Sequence, residues 1–402
     1  MFAIEKRDLS LLASLCGSIN RQQNQAGLYS LSRTVGLVAK PTGKLTFRTT
    51  NQSITVIASL PSPNNQEEWS VSVPAARFQA VASHLCRTWP ANSVPQEVIG
   101  NETIQLGTIN NTRFAIYKQD FHCHLSSQRV DAALAAPITD LTTKWEIDAN
   151  ISDWLDALSF LTSHAEREIT ENWRHQVSFF PDGYAYTSHG VLRLRTLAPT
   201  VPECISVPKG SVAPLNCLLR RVTTFLGPTL QNCRVAAIVS GERQYLRFTL
   251  ASIAIYVTTS SHHFVRESFD STCQGESVIV ADVDRKLLEM RCRLLRPQSE
   301  DGLVSIRILS TTPGLGVLDI SAERDNIKSH DRFDILIQNE RSSLAATAFK
   351  VSASGLIKAL VQLPGITSTL SVLMKQNAIT LSQHDGNTKE IVLGLRRIDS
   401  GT

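Results

Sequence analysis

The chain has 402 residues, of which 42% are hydrophobic and 19% charged, and its formal net charge at pH 7 is +4. This length predicts two to four domains, and the apolar content is sufficient for a core in each. No run of about 20 apolar residues occurs, which excludes a membrane-spanning helix. Residues 1–10 carry charges where a signal peptide needs its apolar core, so we expect a cytoplasmic protein.

The first third of the chain predicts a fixed order of elements. A strand and an amphipathic helix cover residues 2–16, and a second strand and helix cover residues 71–85. In the first helix, Leu9, Leu12 and Cys16 follow the i, i+3, i+7 spacing of a face that packs on a core. Alternating segments within residues 97–119, joined by a tight Asn-Asn turn, then predict antiparallel strands.

The same order of elements recurs in the second and third parts of the chain. The strand before the second helix ends in Val each time, at Val73, Val207 and Val351, an interval of about a third of the chain. Self-similarity at such an interval indicates one module repeated three times. The corresponding segments are residues 145–161, 205–222 and 234–259 in the second part and residues 277–295, 349–365 and 369–397 in the third.

The repeat predicts an α+β fold built from three similar modules. Each module combines antiparallel sheets with two helices and has the size of an ordinary domain. We place the modules at residues 1–126, 140–267 and 274–402.

The sequence offers little catalytic or metal-binding chemistry. His122, Cys123 and His124 stand together, but neighbouring residues of a strand point to opposite faces, and no second pair lies at zinc spacing. No GxxxxGK[ST] loop occurs, so we expect no ATP binding. The eight cysteines are scattered singly, which predicts buried thiols in a reducing compartment. We therefore expect no metal, no cofactor and no enzymatic activity.

Basic side chains recur on the predicted helices or at their ends. Taken one helix at a time, they are typical of ordinary solvated faces. If the helices share one surface, however, the same side chains could contact phosphates at many points without reading base edges. The residues that we expect to face DNA are Arg21, Arg77, Lys209, Arg220, Arg221, Lys286, Arg293, Arg296 and Lys358.

The modules resemble the bacterial sliding clamp family, the beta subunit of DNA polymerase III. VSVPAARFQAVASHL at residues 71–85 is similar to the Val-Pro-Ala-Arg helix start of the family's first domain. ISVPKGSVAPLNCLL at residues 205–219 and AFKVSASGLIKALVQL at residues 348–363 resemble its second and third counterparts. EIVLGLRRI at residues 390–398 resembles the closing strand. The resemblance covers essentially the full chain.

The resemblance implies a DNA sliding clamp, a processivity factor that works as a homodimeric ring of six modules. Twelve helices would face a central hole that holds duplex DNA, independently of sequence. A replicative polymerase and a clamp loader would dock through short peptide motifs. Enclosure would replace tight binding, so that the ring can slide.

The resemblance also implies a dimer joint between the first module and the third. Phe114 and Ile116 would meet Leu294 and Leu295 of the partner chain. The alternative is that all four side chains belong to the internal core.

A partner-peptide cleft is implied between the second and third modules. The chain departs from the family there: His189 and Gly190 are exchanged, Gly394 replaces a Pro, and residues 262–271 replace a Phe-Pro-Asp-Tyr segment. Family members are also acidic overall, and a phage- or plasmid-borne bacterial clamp would account for these departures. The expected cleft residues are Thr187, His189, Gly190, Leu192, Val392, Leu393, Gly394, Leu395 and Arg396.

Two other functions remain open at the level of sequence. One is a clamp-like scaffold that binds replication or partition proteins without encircling DNA. The other is an unrelated β-rich nucleic-acid-binding protein, which would form a solid particle without a hole.

Overall fold

The structure is a computed structural model with side chains. It describes residues 2–20, 34–51, 53–61, 68–86, 103–110, 112–118, 121–129, 141–162, 176–189, 192–227, 230–267, 269, 279–340, 349–363, 369–374, 378–385, 387–394 and 396–397.

Six α-helices lie within the described residues, two for each predicted module. None of them is both long and apolar enough to cross a membrane. They are α1 (Lys6–Asn20), α2 (Ala75–Cys86), α3 (Ile151–Thr162), α4 (Lys209–Leu226), α5 (Arg285–Leu295) and α6 (Ala353–Gln362).

The strands range from two residues in β9 and β26 to fourteen in β21. In chain order they are β1 (Phe2–Glu5), β2 (Thr34–Lys40), β3 (Lys44–Thr50), β4 (Ile54–Pro61), β5 (Trp69–Pro74), β6 (Thr103–Asn110), β7 (Arg113–Lys118), β8 (Phe121–Ser126), β9 (Gln128–Arg129), β10 (Thr142–Asn150), β11 (Gln176–Phe179), β12 (Tyr184–His189), β13 (Leu192–Leu197), β14 (Ile205–Pro208), β15 (Asn232–Ser240), β16 (Arg243–Leu250), β17 (Ile253–Thr258), β18 (Ile279–Asp284), β19 (Leu303–Thr312), β20 (Leu315–Arg324), β21 (Ile327–Glu340), β22 (Phe349–Ser352), β23 (Thr369–Met374), β24 (Ala378–Asp385), β25 (Asn387–Gly394) and β26 (Arg396–Arg397).

The chain divides into two compact units. The first combines Met1–Leu155 with Gly210–Ser260 and contains a four-stranded sheet, β1-β6-β7-β8, and a nine-stranded sheet, β10-β15-β16-β17-β4-β3-β2-β5-β9. The second combines Asp156–Lys209 with Ser261–Thr402 and contains a thirteen-stranded sheet, β14-β11-β12-β13-β25-β24-β23-β18-β21-β20-β19-β22-β26.

Two strand orders are each repeated three times within these sheets. The order β1-β6-β7-β8 recurs as β10-β15-β16-β17 and as β18-β23-β24-β25, and the order β5-β2-β3-β4 recurs as β14-β11-β12-β13 and as β22-β19-β20-β21. All of the strand pairs are antiparallel. The predicted α+β fold of repeated modules with antiparallel sheets is therefore confirmed, whereas the exact module boundaries remain a prediction.

Local sequence explains the repeated strand–helix corners. In the third repeat a polar residue ends each of these strands and caps the helix that follows, because its side chain accepts a hydrogen bond from an early backbone N–H. Asp284 accepts from the N–H of Leu287 at 2.8 Å at the start of α5. Ser352 accepts from the N–H of Gly355 at 3.2 Å at the start of α6.

The core lies between the helices and the inner faces of the strands. In β4 the residues alternate between buried and half-buried positions, as expected for a strand with one face on the core. Phe78 of α2 packs on Phe47 of β3, with ring centroids 6.1 Å apart. In the first unit, α1 also packs against α2.

Candidate nucleic-acid interface and docking residues

Most of the described residues expected to face DNA are exposed on helices. Three of the six helices, α2, α4 and α6, contain no Asp or Glu at all, so their charged groups are basic or histidine. A helix without carboxylates offers phosphates a surface free of like-charge repulsion. The exposed members of the predicted set are Arg77, Arg220, Lys286, Arg293, Arg296 and Lys358.

Lys209 contradicts the prediction that it faces DNA. Its side chain is only 2% exposed, and its ammonium donates a hydrogen bond to the backbone carbonyl of Ser188. A charge buried this deeply requires such a partner, because desolvating an unpaired ammonium is costly. Lys209 therefore anchors the start of α4.

Arg221 is half-buried and engaged inside the first unit. Its guanidinium donates hydrogen bonds to the carbonyl oxygen and to the side-chain oxygen of Ser14, at 2.8 and 2.6 Å. The remaining predicted residue, Arg21, lies outside the described residues. The structure thus leaves six of the nine predicted basic residues on the surface.

Arg221 belongs to a contact between α1 and α4. The guanidinium of Arg7 lies 4.6 Å from the centre of the Phe225 ring, and Ser18 Oγ lies 3.8 Å from Cys217 Sγ. The first helix of one repeat is therefore joined to the second helix of the next repeat. The same two repeats are also joined through their sheets, because β17 pairs with β4.

The predicted cleft residues come together in a closed core. Thr187, Leu192, Val392 and Leu393 are each at most 1% exposed. Leu192 lies directly opposite Leu393 in the pairing of β13 with β25, which joins the second repeat to the third. Side chains so deeply buried do not form the open wall that the sequence resemblance implied.

The remaining cleft residues are only partly described. His189, Gly394 and Arg396 are placed as members of β12, β25 and β26, without an account of their side chains. Gly190 and Leu395 lie outside the described residues.

An aromatic cluster, which sequence reasoning missed, lies next to the predicted cleft. The ring of Tyr186 stacks on Phe264 with centroids 5.7 Å apart and meets the edge of Phe269 at 5.3 Å. Val392 packs against the same rings, and burial raises the pKa of Tyr186. The signal in the sequence was the replacement segment at residues 262–271, whose two phenylalanines fill this space.

Hydrogen bonds hold that segment in place. The backbone N–H of Phe264 donates to Ser178 Oγ at 2.8 Å. Ser178 Oγ lies 2.5 Å from Ser206 Oγ, which in turn lies 2.7 Å from Nδ1 of His263. Both serines are fully buried, so these bonds satisfy polar groups that water does not reach.

The predicted joint residues are corrected by the structure. Phe114 and Ile116 are fully buried, and Phe114 packs on Trp69 with centroids 5.8 Å apart. Leu295 is 5% exposed, so it too belongs to the core. Only Leu294, at 55% exposure, is available to a partner. The prediction failed because β7, which carries Phe114 and Ile116, is an interior strand of its sheet.

Two strand edges could accept a further strand: the outer edge of β8 and the edge of β21 over residues 327–335. Within the described residues, β8 pairs only with β7. Among the described residues, residues 327–335 of β21 pair only with β20, Leu336 pairs with both β20 and β18, and the residues after it pair with β18. Each edge therefore presents a row of backbone hydrogen-bonding groups on one side.

An exposed apolar face of α5 borders the β21 edge. Met290 and Leu294, spaced i, i+4, are 47% and 55% exposed. On the same side of the helix, the guanidinium of Arg291 forms an ion pair with Asp331 of β21 at 2.8 Å. The first position of β21, Ile327, is 69% exposed. The exposed side chains of Met290, Leu294 and Ile327 thus place apolar surface next to the β21 edge.

His122 and His124 lie on the exposed face of β8, with the half-buried Cys123 between them. The ring of Tyr117 meets the ring of His122 at 5.1 Å and that of His124 at 6.3 Å. Among the described residues no group of three or more potential metal ligands comes together.

The strand orders and paired helices define the fold of a DNA sliding clamp. The chain superposes over 99% of its length on a DNA polymerase III subunit beta from Pseudomonas aeruginosa, with a TM-score of 0.74, 14% sequence identity and 100% of that chain covered. The corresponding subunits from Thermotoga maritima and Borrelia burgdorferi give TM-scores of 0.73 and 0.72 at 12% identity, with 99% of each chain covered. No family model and no curated protein matches the sequence. The likeness is therefore one of fold.

Proposed function

We propose that this protein is a DNA sliding clamp that encircles duplex DNA as a homodimer and tethers a replicative polymerase. The single observation that supports this most strongly is a sheet junction that occurs twice in the chain, where β17 pairs with β4 and β25 pairs with β13. In each junction, the strand that ends the first strand order in one repeat pairs with the strand that ends the second strand order in the repeat before it. β17 and β25 are strands of the first kind, and β4 and β13 are strands of the second kind. A third junction of this kind, between two chains, would close six modules into a ring.

The strands left for that third junction are β8 and β21. β8 is the counterpart of β17 and β25, and β21 is the counterpart of β4 and β13. In a two-fold dimer, β8 of each chain would meet β21 of the other, so both joints would form together. The free edges that such strands expose are otherwise a liability in a soluble protein.

The counterpart strands also suggest the register of the joint. Leu125 and Leu393 each stand one residue before the end of their strand, Ser126 and Gly394 being paired with the first residues of β7 and β24. Ile327 and Leu192 each stand first after a hairpin turn. Since Leu192 lies opposite Leu393, Leu125 would lie opposite Ile327.

Two features of the side chains agree with this register. In the other junction within the chain the equivalent pair is Val257 and Ile54, which is again apolar. The register also brings exposed residues of β8 opposite exposed residues of β21, and half-buried Cys123 opposite half-buried Ser329. The two sheets would then continue into one another with a common inner face.

The helices would complete the joint. Within the chain, α1 contacts α4 where β4 pairs with β17. The equivalent contact between chains would bring α5, with exposed Met290 and Leu294, against α2 of the partner. Burying such side chains stabilises an interface by about 25 cal/mol per Å² of apolar surface.

The basic helix residues would supply the contacts to DNA. Six scattered, exposed cations bind phosphates without base readout, so affinity would be low, independent of sequence and sensitive to salt. A clamp needs no more than this, because enclosure keeps the protein on DNA while weak contacts let it slide. The role requires no catalysis or cofactor, and it belongs in the bacterial cytoplasm, whether the gene is chromosomal or borne by a phage or plasmid.

Polymerase and clamp loader would dock beside the aromatic cluster. The burial of Thr187, Leu192, Val392 and Leu393 means that a peptide would contact the exposed rims around them. The guanidinium of Arg266 lies 5.8 Å from the Phe180 ring and 2.8 Å from Asp182, and 39% of its side chain is exposed, so this rim offers a paired cation and carboxylate beside aromatic rings.

A second candidate is a clamp-like scaffold that never encircles DNA. It is favoured by the loss of Lys209 and Arg221 from the DNA-facing set, since both are engaged inside the fold. Such a protein would not need β8 and β21 to pair.

Light scattering after size exclusion separates the two candidates. The clamp predicts a particle of twice the 44.2 kDa chain mass at micromolar concentration. A monomer would contradict the ring, and so would a trimer, because three chains of three modules do not form a six-module ring.

A further inference from the structure

We propose that histidines of β8 and β21 meet across the joint between two chains and make the dimer dissociate when the pH falls below neutrality. This inference rests on the proposed homodimeric ring and deepens it. It starts from two observations: His122 and His124 occupy the exposed face of the β8 edge, and His330 occupies the exposed face of the β21 edge.

The register of the joint brings these side chains together. With Leu125 opposite Ile327, His122 of one chain lies directly opposite His330 of the other, and His124 lies opposite Lys328. Residues directly opposite one another in antiparallel strands share a face and have Cβ atoms about 4.5–5.5 Å apart. A two-fold dimer has two joints, so it contains two pairs of each kind.

Among the described residues, the surroundings of His122 offer no carboxylate on its face of the sheet. On β7 the residue opposite it is Tyr117; the neighbouring Lys118 lies opposite Phe121, and Arg113 lies opposite Ser126. From α2, the guanidinium of Arg77 approaches Ser126 Oγ at 3.5 Å. The charged groups that the structure describes around this edge are therefore cationic.

The surroundings of His330 are mixed, but their carboxylates lie beside cations. On β20 the residue opposite His330 is Ser321. Asp319 pairs with Arg332 at 3.6 Å, and Glu323 lies opposite Lys328. On β19, Arg307 lies opposite Asp319. Asp334, four residues further along β21 on the same face, lies opposite Val317. None of the described carboxylates lies directly opposite His330.

The sign of the response follows from these neighbours. Histidine is the side chain that ordinarily changes charge between pH 5 and 8. In their neutral form the imidazoles can pack or share a hydrogen bond. In their protonated form His122 and His330 would carry like charges opposite one another, and His124 would face the cationic Lys328. Like charges directly opposite across strands are destabilising.

A divalent metal is a less suitable occupant of the same place. Three imidazoles could in principle bind zinc. However, Lys328 and Arg332 lie on the same face of β21 as His330, and their charges would oppose a bound cation. A response to protonation therefore accounts for these histidines and their cationic neighbours better than metal binding does.

The experiment measures the dimer dissociation constant by sedimentation equilibrium at pH 8 and pH 5.5 with EDTA present, and once more at pH 8 without EDTA. For the full-length protein we expect the constant to rise by roughly 10- to 100-fold at pH 5.5, as four like-charge pairs would give. The variant His122→Gln with His330→Gln should reduce this rise to roughly 3- to 10-fold, because the two pairs of His124 with Lys328 remain. Its matched control, His263→Gln, changes an exposed histidine outside the joint and should keep the full rise.

The outcomes separate this inference from the proposed function. A dimer whose dissociation constant is the same at both pH values overturns the pH response and leaves the ring intact. An equal rise in the double variant also overturns it, because other groups would then be responsible. A monomer at pH 8 without EDTA contradicts the ring itself. If EDTA alone dissociates the dimer at pH 8, the histidines hold a metal and the proton-based account is wrong. Circular dichroism at pH 5.5 should show an unchanged fold.

Discussion

The two sheet junctions within the chain, β17–β4 and β25–β13, differ from the edges of β8 and β21 in how exposed their apolar residues are among the described residues. Both contain an apolar pair at the same position of the repeat, but Ile54 and Leu192 are each 1% exposed in their junctions, whereas their counterpart Ile327 is 69% exposed. The chain thus satisfies two of its three junction surfaces internally. An edge that carries the same pattern and has no partner among the described residues is what the proposed joint between two chains requires.

A charge in a junction within the chain should have the largest effect, because it acts on folding. Val257→Asp places a carboxylate at a fully buried position opposite Ile54. We expect the free energy of unfolding to fall by about 3 kcal/mol or more, from the lost apolar burial and the desolvated charge. Urea denaturation measures this change.

A matched control for that variant is Val265→Asp, since Val265 is 40% exposed. Surface substitutions usually change stability by about 0.5 kcal/mol or less. Equal losses of stability in the two variants would mean that the β17–β4 junction contributes nothing particular to the fold.

A charge at the unpaired edge should leave folding intact and act on assembly. Ile327→Asp changes a side chain that the single chain does not bury. Each dimer would lose two apolar pairs and gain two desolvated carboxylates, so we expect dimer dissociation to increase by roughly 100-fold or more. The melting temperature at concentrations where the wild type is monomeric should stay the same.

Leu315→Asp provides the control for assembly. Leu315 is 50% exposed on β20, the strand next to β21, but it lies away from the proposed joint. Its variant should dimerise like the wild type. If Ile327→Asp has no more effect than Leu315→Asp, the β21 edge is not the joint.

The smallest effects should come from the basic helix residues, and they sharpen the contrast between helices and sheets. Arg220 and Lys358 lie on helices without carboxylates. Replacing both by Ala should weaken DNA binding several-fold and lower the slope of log affinity against log salt by about 0.9 for each lost phosphate contact. A filter-binding titration at several salt concentrations measures both quantities.

Arg234 on β15 is the matched residue on a sheet. Its guanidinium lies 3.4 Å from Glu146, so its charge is already balanced by a carboxylate. Arg234→Ala should leave both the DNA affinity and its salt dependence unchanged. A loss equal to that of the helix variants would mean that the sheets, too, contact DNA.

The sequence was sufficient to predict the order of elements and the threefold repeat. Strands and helices can be predicted from local periodicity, and a repeat can be detected by comparing one third of the sequence with another. The exposed basic residues on α2, α5 and α6 followed from the same helical spacing. These features depend on residues that are near one another in the chain.

The errors arose where a residue's position depends on distant parts of the chain. Alternation identifies β7 as a strand but does not reveal that β8 pairs with its outer edge. The family resemblance alone therefore places Phe114 at a joint that this strand does not form. Lys209 stands at a helix start, which is typical of a surface residue. It is nevertheless buried, and its ammonium donates a hydrogen bond to the carbonyl of Ser188 on another strand. The cluster of Tyr186 and Phe264 likewise joins residues that the sequence separates widely.

The most direct test of a closed ring is a disulfide across the proposed joint. The register puts native Cys123 opposite Ser329, so Ser329→Cys should cross-link two chains on oxidation. Burial raises the pKa of the Cys123 thiol, and oxidation at about pH 9 would therefore favour the reactive thiolate. The control is Lys328→Cys, which lies on the other face of β21 and should not cross-link.

The reduced Ser329→Cys protein is loaded onto nicked circular duplex DNA and then oxidised. The complex is washed with detergent and about 1 M salt, where phosphate contacts are screened, and the protein retained on the DNA is measured. We predict that the covalent dimer stays on the circle and is released when the DNA is cut once. Release from uncut circles, or failure of Cys123 to cross-link at all, would contradict a clamp that holds DNA by enclosure.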